Sequence, residues 1–64
     1  LTSQLLASAP SIRQIEESIN KFWCSDKYRV DPETLEITHP DRKTPEGVRV
    51  IKKGKRYRFE MTSS

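Results

Sequence analysis

Between Arg49 and Phe59 the chain reads RVIKKGKRYRF, and six of those eleven residues are cations: Arg49, Lys52, Lys53, Lys55, Arg56 and Arg58. Such side chains neutralise phosphates and release their counterions, a sequence-independent route to nucleic-acid binding. Arg42 and Lys43 lie a few residues upstream and extend the set. Other residues with chemical potential are few. Cys24 and His39 are the only cysteine and histidine, whereas a zinc site takes four ligands of this type, or three and a water. A Cys–His nucleophilic pair also needs a third group to orient it. Asp31, Glu33, Glu36 and Asp41 gather at turn positions, and a hydrolytic carboxylate pair needs a cleft that so short a chain rarely encloses. With no catalytic, metal or cofactor motif, the chain reads as a binding module rather than an enzyme.

The elements that must carry these cations can be read from periodicity. Ser11 followed by Gln14 has capping-box spacing, and Ile12, Ile15, Ile19, Phe22 and Trp23 then recur on one face at the helical period. Arg13, Glu16, Glu17, Asn20 and Lys21 fall on the other face, with Glu17 and Lys21 spaced for an ion pair. From Asp26 the period becomes two. Tyr28 and Val30, then Leu35 and Ile37, alternate with polar residues around a DPET turn, so a short hairpin is expected. HPDRKTPEG, residues 39–47, is a loop by its two prolines and glycine. A second hairpin carries Val48, Val50, Tyr57, Phe59 and Met61 inward.

Its register follows from where the turn is set. With Lys53-Gly54 as a two-residue loop, Val50 faces Tyr57 and Val48 faces Phe59, while Arg49 lies across from Arg58 and Ile51 across from Arg56. A one-residue slip would spoil both faces. This register predicts a solvent-facing plate of arginines with Lys52, Lys53 and Lys55 at the tip. Two arginines directly opposite one another repel, so an acidic strand, solvent or an anionic partner must offset them.

The fold class expected is α+β: one amphipathic helix packed on a small antiparallel sheet of three to four strands, built from two hairpins. Residues 1–10, small and weakly apolar, read as a flexible N-terminal tail, and residues 11–62 as a single small domain. The expected core is Ile12, Ile15, Ile19, Phe22, Trp23, Tyr28, Val30, Leu35, Ile37, Val48, Val50, Tyr57, Phe59 and Met61. A chain of 64 residues builds a marginal core, which makes a homodimer or a bound partner an expected source of stability. One cysteine excludes an internal disulfide, and no run of residues has membrane-spanning or signal-peptide character, so a cytoplasmic setting without a membrane partner is the default.

Charge is distributed unevenly. Residues 1–24 are neutral, residues 25–41 carry −3, and residues 42–64 carry +6, against a total of +3. The stretch VIKKGKRYRF resembles the wing hairpin of excisionase-type and MerR-like winged-helix DNA-binding proteins. By that resemblance Lys55, Arg56 and Arg58 would touch the DNA backbone. The resemblance covers about ten residues, and the chain departs from those domains in having one helix followed by strands. His39-Pro40-Asp41 is similar to the loop tripeptide of J-domain cochaperones, but Pro45 and Gly47 forbid the helix that follows it there, so a turn is expected. The function expected is nucleic-acid binding, of DNA more than RNA, through Arg49, Lys52, Lys53, Lys55, Arg56 and Arg58 with help from Arg42 and Lys43. The alternative is a protein-interaction module, an adaptor, inhibitor or homodimer, in which the basic hairpin docks an acidic protein or the sheet edge pairs with another strand.

Overall fold

Five strands and one helix make up the computed structural model, which describes residues 3–62. They run β1 (Ser3–Ala9), α1 (Ile12–Phe22), β2 (Arg29–Val30), β3 (Ile37–Thr38), β4 (Val48–Lys53) and β5 (Arg56–Thr62). The helix packs on antiparallel sheets of three and two strands, ordered β1-β5-β4 and β2-β3, which is the expected α+β arrangement.

The N-terminal segment differs from expectation. Instead of a tail, Ser3–Ala9 forms β1 and pairs along the whole of β5, from Ser3 opposite Thr62 to Ala9 opposite Tyr57. Leu1 and Thr2 lie outside the described residues. SQLLASA has little strand propensity of its own. It becomes a strand because β5 offers a long open edge, and because Ala7 and Ala9 are small enough to sit beneath the helix. A register irregularity between Leu5 and Ala7 leaves Leu6 unpaired, and Pro10 restricts Ala9 to extended backbone just before the helix begins.

Ser11 caps α1, its Oγ accepting from the Gln14 N–H at 3.3 Å. Gln14 contacts the Ser11 hydroxyl at 3.5 Å, so the capping box is half formed. At the other end the Ser25 N–H donates to the Asn20 carbonyl and the Cys24 N–H to the Lys21 carbonyl, the Schellman pairing. Cys24 therefore adopts φ 52°, a conformation that favours glycine, and its side chain is exposed rather than half-buried. Among the described residues Glu17 and Lys21 do not come within ion-pair distance.

Ile15, Ile19, Tyr28, Val30, Ile37, Val50, Phe59 and Ala9 form the buried core, flanked by Leu6, Ala7, Ile12, Trp23, Leu35, Val48 and Tyr57. Phe22, expected inside, is 44% exposed, although its ring meets Trp23 and Phe59 edge-on. Met61 is partly buried and stands outside the cluster.

The small sheet is held to the helix by two side chains from the face read as solvent-exposed. Asn20 accepts from the Tyr28 N–H at 2.8 Å and donates to the Tyr28 carbonyl at 3.3 Å, as a neighbouring strand would. Glu16, one turn earlier, accepts from the Val30 N–H at 2.8 Å. Asn20→Ala is expected to destabilise the fold by about 1–3 kcal/mol, since it leaves the partly buried Tyr28 N–H without its acceptor, while the Tyr28 carbonyl keeps the Arg29 guanidinium at 2.9 Å. Urea denaturation checks this: the midpoint should fall with the m-value unchanged.

Candidate nucleic-acid interface

Gly54 sets the hairpin that carries the cations. Its φ of 64° is positive, and Lys55 is not among the positive-φ residues, so Gly54-Lys55 is the loop and fits the type II′ turn, which puts glycine first. Lys53 then pairs with Arg56, Ile51 with Arg58, Val50 with Phe59 and Arg49 with Glu60. This corrects the expected register by two residues. A shift of two keeps every side chain on its face, so Val50 and Phe59 still point into the core and the arginines still point away. What changes is the partner. The predicted Arg49–Arg58 clash is replaced by Arg49 opposite Glu60, which removes the like-charge penalty without any external anion.

Glu60 sits on the central strand, between Arg49 on β4 and Leu5 on β1, and is only 7% exposed. Its Oε2 lies 3.9 Å from Arg58 Nη1. The sheet face is therefore no uniform plate. Its middle holds a carboxylate across from Arg49 in register and within ion-pair range of Arg58, with Ile51 half-buried and Leu5 52% exposed on the same surface.

The tip is different. Lys52, Lys53, Lys55 and Arg56 are all exposed, and no described carboxylate comes within 4.0 Å of any of them. Arg56 is steadied by its Nε–H, which donates to Ser8 Oγ on β1 at 3.2 Å. Four cations thus project from one turn, while Phe59 is fully buried and Tyr57 lies half-buried on the core face.

No family model matches the chain, and no curated protein or solved structure matches it either. The resemblance to a winged-helix wing thus reaches only as far as the hairpin itself: α1 is the sole helix among the described residues, and strands follow it directly.

The loop cations do not join the tip. Arg42 lies 5.8 Å from the centre of the Tyr28 ring and donates to its hydroxyl at 3.4 Å, so it serves the helix-side core. Lys43 is exposed in the same loop. His39 also turns inward, its ring edge-on to Tyr28 at 4.5 Å. The Asp41 N–H donates to His39 Nδ1 at 2.9 Å, which places the ring proton on Nε2, where it points at Ser25 Oγ at 3.3 Å. Ser25 Oγ also accepts from the Lys27 N–H. The Ser25–His39 contact is thus wired to brace the loop, with the histidine donating to the hydroxyl rather than drawing its proton. Cys24 is exposed at the helix end, and among the described residues no three His, Cys, Asp or Glu groups cluster for a metal ion. No helix among the described residues is long and apolar enough to cross a membrane.

Sequence reasoning missed three residues, Ser8 at this surface and Asn20 and Glu16 under the small sheet. Ser8 gave no signal, being 48 residues from Arg56. Asn20 and Glu16 looked like solvent residues because a helical wheel does not show a strand arriving alongside it. Glu60, two residues from Arg58 and hence on its face, was legible as a group that neutralises the arginines, but its place opposite Arg49 needed the turn placed correctly.

Proposed function

We propose that this chain binds nucleic acid, DNA in preference to RNA, through the tip of the β4–β5 hairpin. The observation that carries the reading is the group of four exposed cations at one turn, Lys52, Lys53, Lys55 and Arg56, with no described carboxylate beside them. A two-stranded ribbon fits the major groove of B-form DNA, whereas the deep, narrow major groove of A-form RNA does not admit it. Arg49 and Arg58 play a lesser part, because Glu60 lies opposite the first and beside the second. The contacts are to phosphates, so affinity carries little base preference.

Fluorescence anisotropy on a short mixed-sequence duplex tests this. Four phosphate contacts give a log–log salt slope of about −3.6, a loss of about 150-fold in affinity between about 50 and 200 mM salt. Absence of binding at the lower salt, or a slope near zero, would overturn the proposal.

A further inference from the structure

The two sheets leave their facing edges unpaired, and the hydrogen-bond pattern shows which backbone groups are open. The Thr62 N–H donates to the Gly47 carbonyl. Pairs alternate along an antiparallel ladder, so Arg49–Glu60, Ile51–Arg58 and Lys53–Arg56 are the hydrogen-bonded pairs of β4 and β5. Val48, Val50 and Lys52 consequently aim their N–H and C=O groups outward from the edge. In the small sheet the Asp31 N–H donates to the Glu36 carbonyl, which makes Val30 and Ile37 a non-hydrogen-bonded pair. The outward N–H of Val30 is taken by Glu16. The outward groups of Ile37, on the opposite edge, have no hydrogen-bond partner among the described residues.

Ile37, Val48 and Val50, three of the residues with open groups, meet in one place. A groove of about 440 Å³ runs between β3 and β4, lined among others by Leu35, Ile37, Pro45, Val48, Arg49 and Val50. Its walls are two strand edges presenting both donors and acceptors. A phosphodiester has acceptors alone, whereas an extended peptide has both. The side-chain pattern narrows the occupant further. A strand laid beside β4 puts one residue opposite exposed Arg49, where a carboxylate is favourable and a cation is not. Its neighbours on either side fall opposite Val48 and Val50, on the core face, where aliphatic side chains belong.

We infer that the β3–β4 groove takes an extended segment of a partner protein, aliphatic–acidic–aliphatic in pattern, as an added strand joining the two sheets. The site is separate from the hairpin tip and does not depend on the nucleic-acid reading.

The test is an amide-resolved NMR titration of the whole chain with a short capped peptide of alternating valine and glutamate, followed by hydrogen exchange. The expected result is slowing of Ile37, Val48 and Val50 exchange by about tenfold or more on saturation. A lysine-for-glutamate peptide should bind roughly fivefold to tenfold more weakly, and Arg49→Gln should erase that preference. A peptide N-methylated on alternate amides should not bind. Equal binding of the N-methylated peptide, shifts confined to other surfaces, or no binding would overturn the inference. So would protection of the same amides without peptide in a self-associating sample, which would assign the groove to a second copy. Alanine at Lys52, Lys53, Lys55 and Arg56 should leave peptide binding intact, so the failure of either proposal is distinguishable from failure of the other.

Discussion

Replacing Lys52, Lys53, Lys55 and Arg56 together by alanine should lower duplex affinity about 1,000-fold at about 0.15 M salt. That figure is the counterion-release contribution of four phosphate contacts, taken relative to 1 M salt. The substitutions take the net charge from +3 to −1, and the log–log slope should flatten towards zero in step with the affinity. The fold should survive, because all four side chains are exposed and the sole side-chain hydrogen bond among them is from Arg56 to Ser8. Arg58→Ala is the informative contrast: Arg58 lies beside Glu60, so its loss should change the slope by less than that of a tip lysine. If Arg58→Ala weakened binding as much as the fourfold tip variant, the interface would belong to the sheet face instead.

The largest stability effect is expected at Phe59. Its side chain is 0% exposed, on the central strand opposite Val50, with the Phe22 and Trp23 rings each 5.5 Å away. Phe59→Ala removes a ring touched by the helix and by the sheet at once. Such truncations cost about 3–5 kcal/mol, against a total stability of about 3–10 kcal/mol for a chain of this length. The variant should be largely unfolded near physiological temperature, with far-ultraviolet dichroism and tryptophan fluorescence of Trp23 lost together. A loss under about 1 kcal/mol would mean that the aromatic cluster does not hold the layers together.

What could be read from the sequence was local. The 3.6-residue spacing of Ile12, Ile15 and Ile19 fixed the helix and its buried face, and Ser11 marked its start. The DPET turn formed as its chemistry requires, with Asp31 Oδ1 accepting from the Glu33 N–H at 2.7 Å. The alternation of valines and aromatics in β4 and β5 assigned both faces correctly, since face depends only on parity. Register does not. It turned on whether Gly54 comes first or second in the loop, and with a lone positive φ only the first option gives a primed turn that matches the strand twist. That one choice decided whether Arg49 meets Arg58 or Glu60, and so whether the charge sits on the sheet face or at the tip.

The long-range features carried no such signal. β1 is a strand only because β5 lies beside it, some fifty residues away along the chain, and its period-two pattern is confined to Ala7-Ser8-Ala9. The docking of β2 onto Asn20 and Glu16 likewise depends on a tertiary approach that no periodicity encodes. The groove between β3 and β4 is invisible for a further reason: it is defined by hydrogen bonds that are not made.

The hairpin tip, and not the sheet face, is where the polyanion is proposed to bind. A nitrogen-15 amide titration of the intact chain with a short DNA duplex tests this residue by residue. The largest shifts are expected at Lys52–Arg56, with Arg49 and Glu60 responding less and α1 unmoved. Shifts centred on Arg49, Arg58 and Leu5, or the absence of any shift at the tip with saturating duplex, would contradict it.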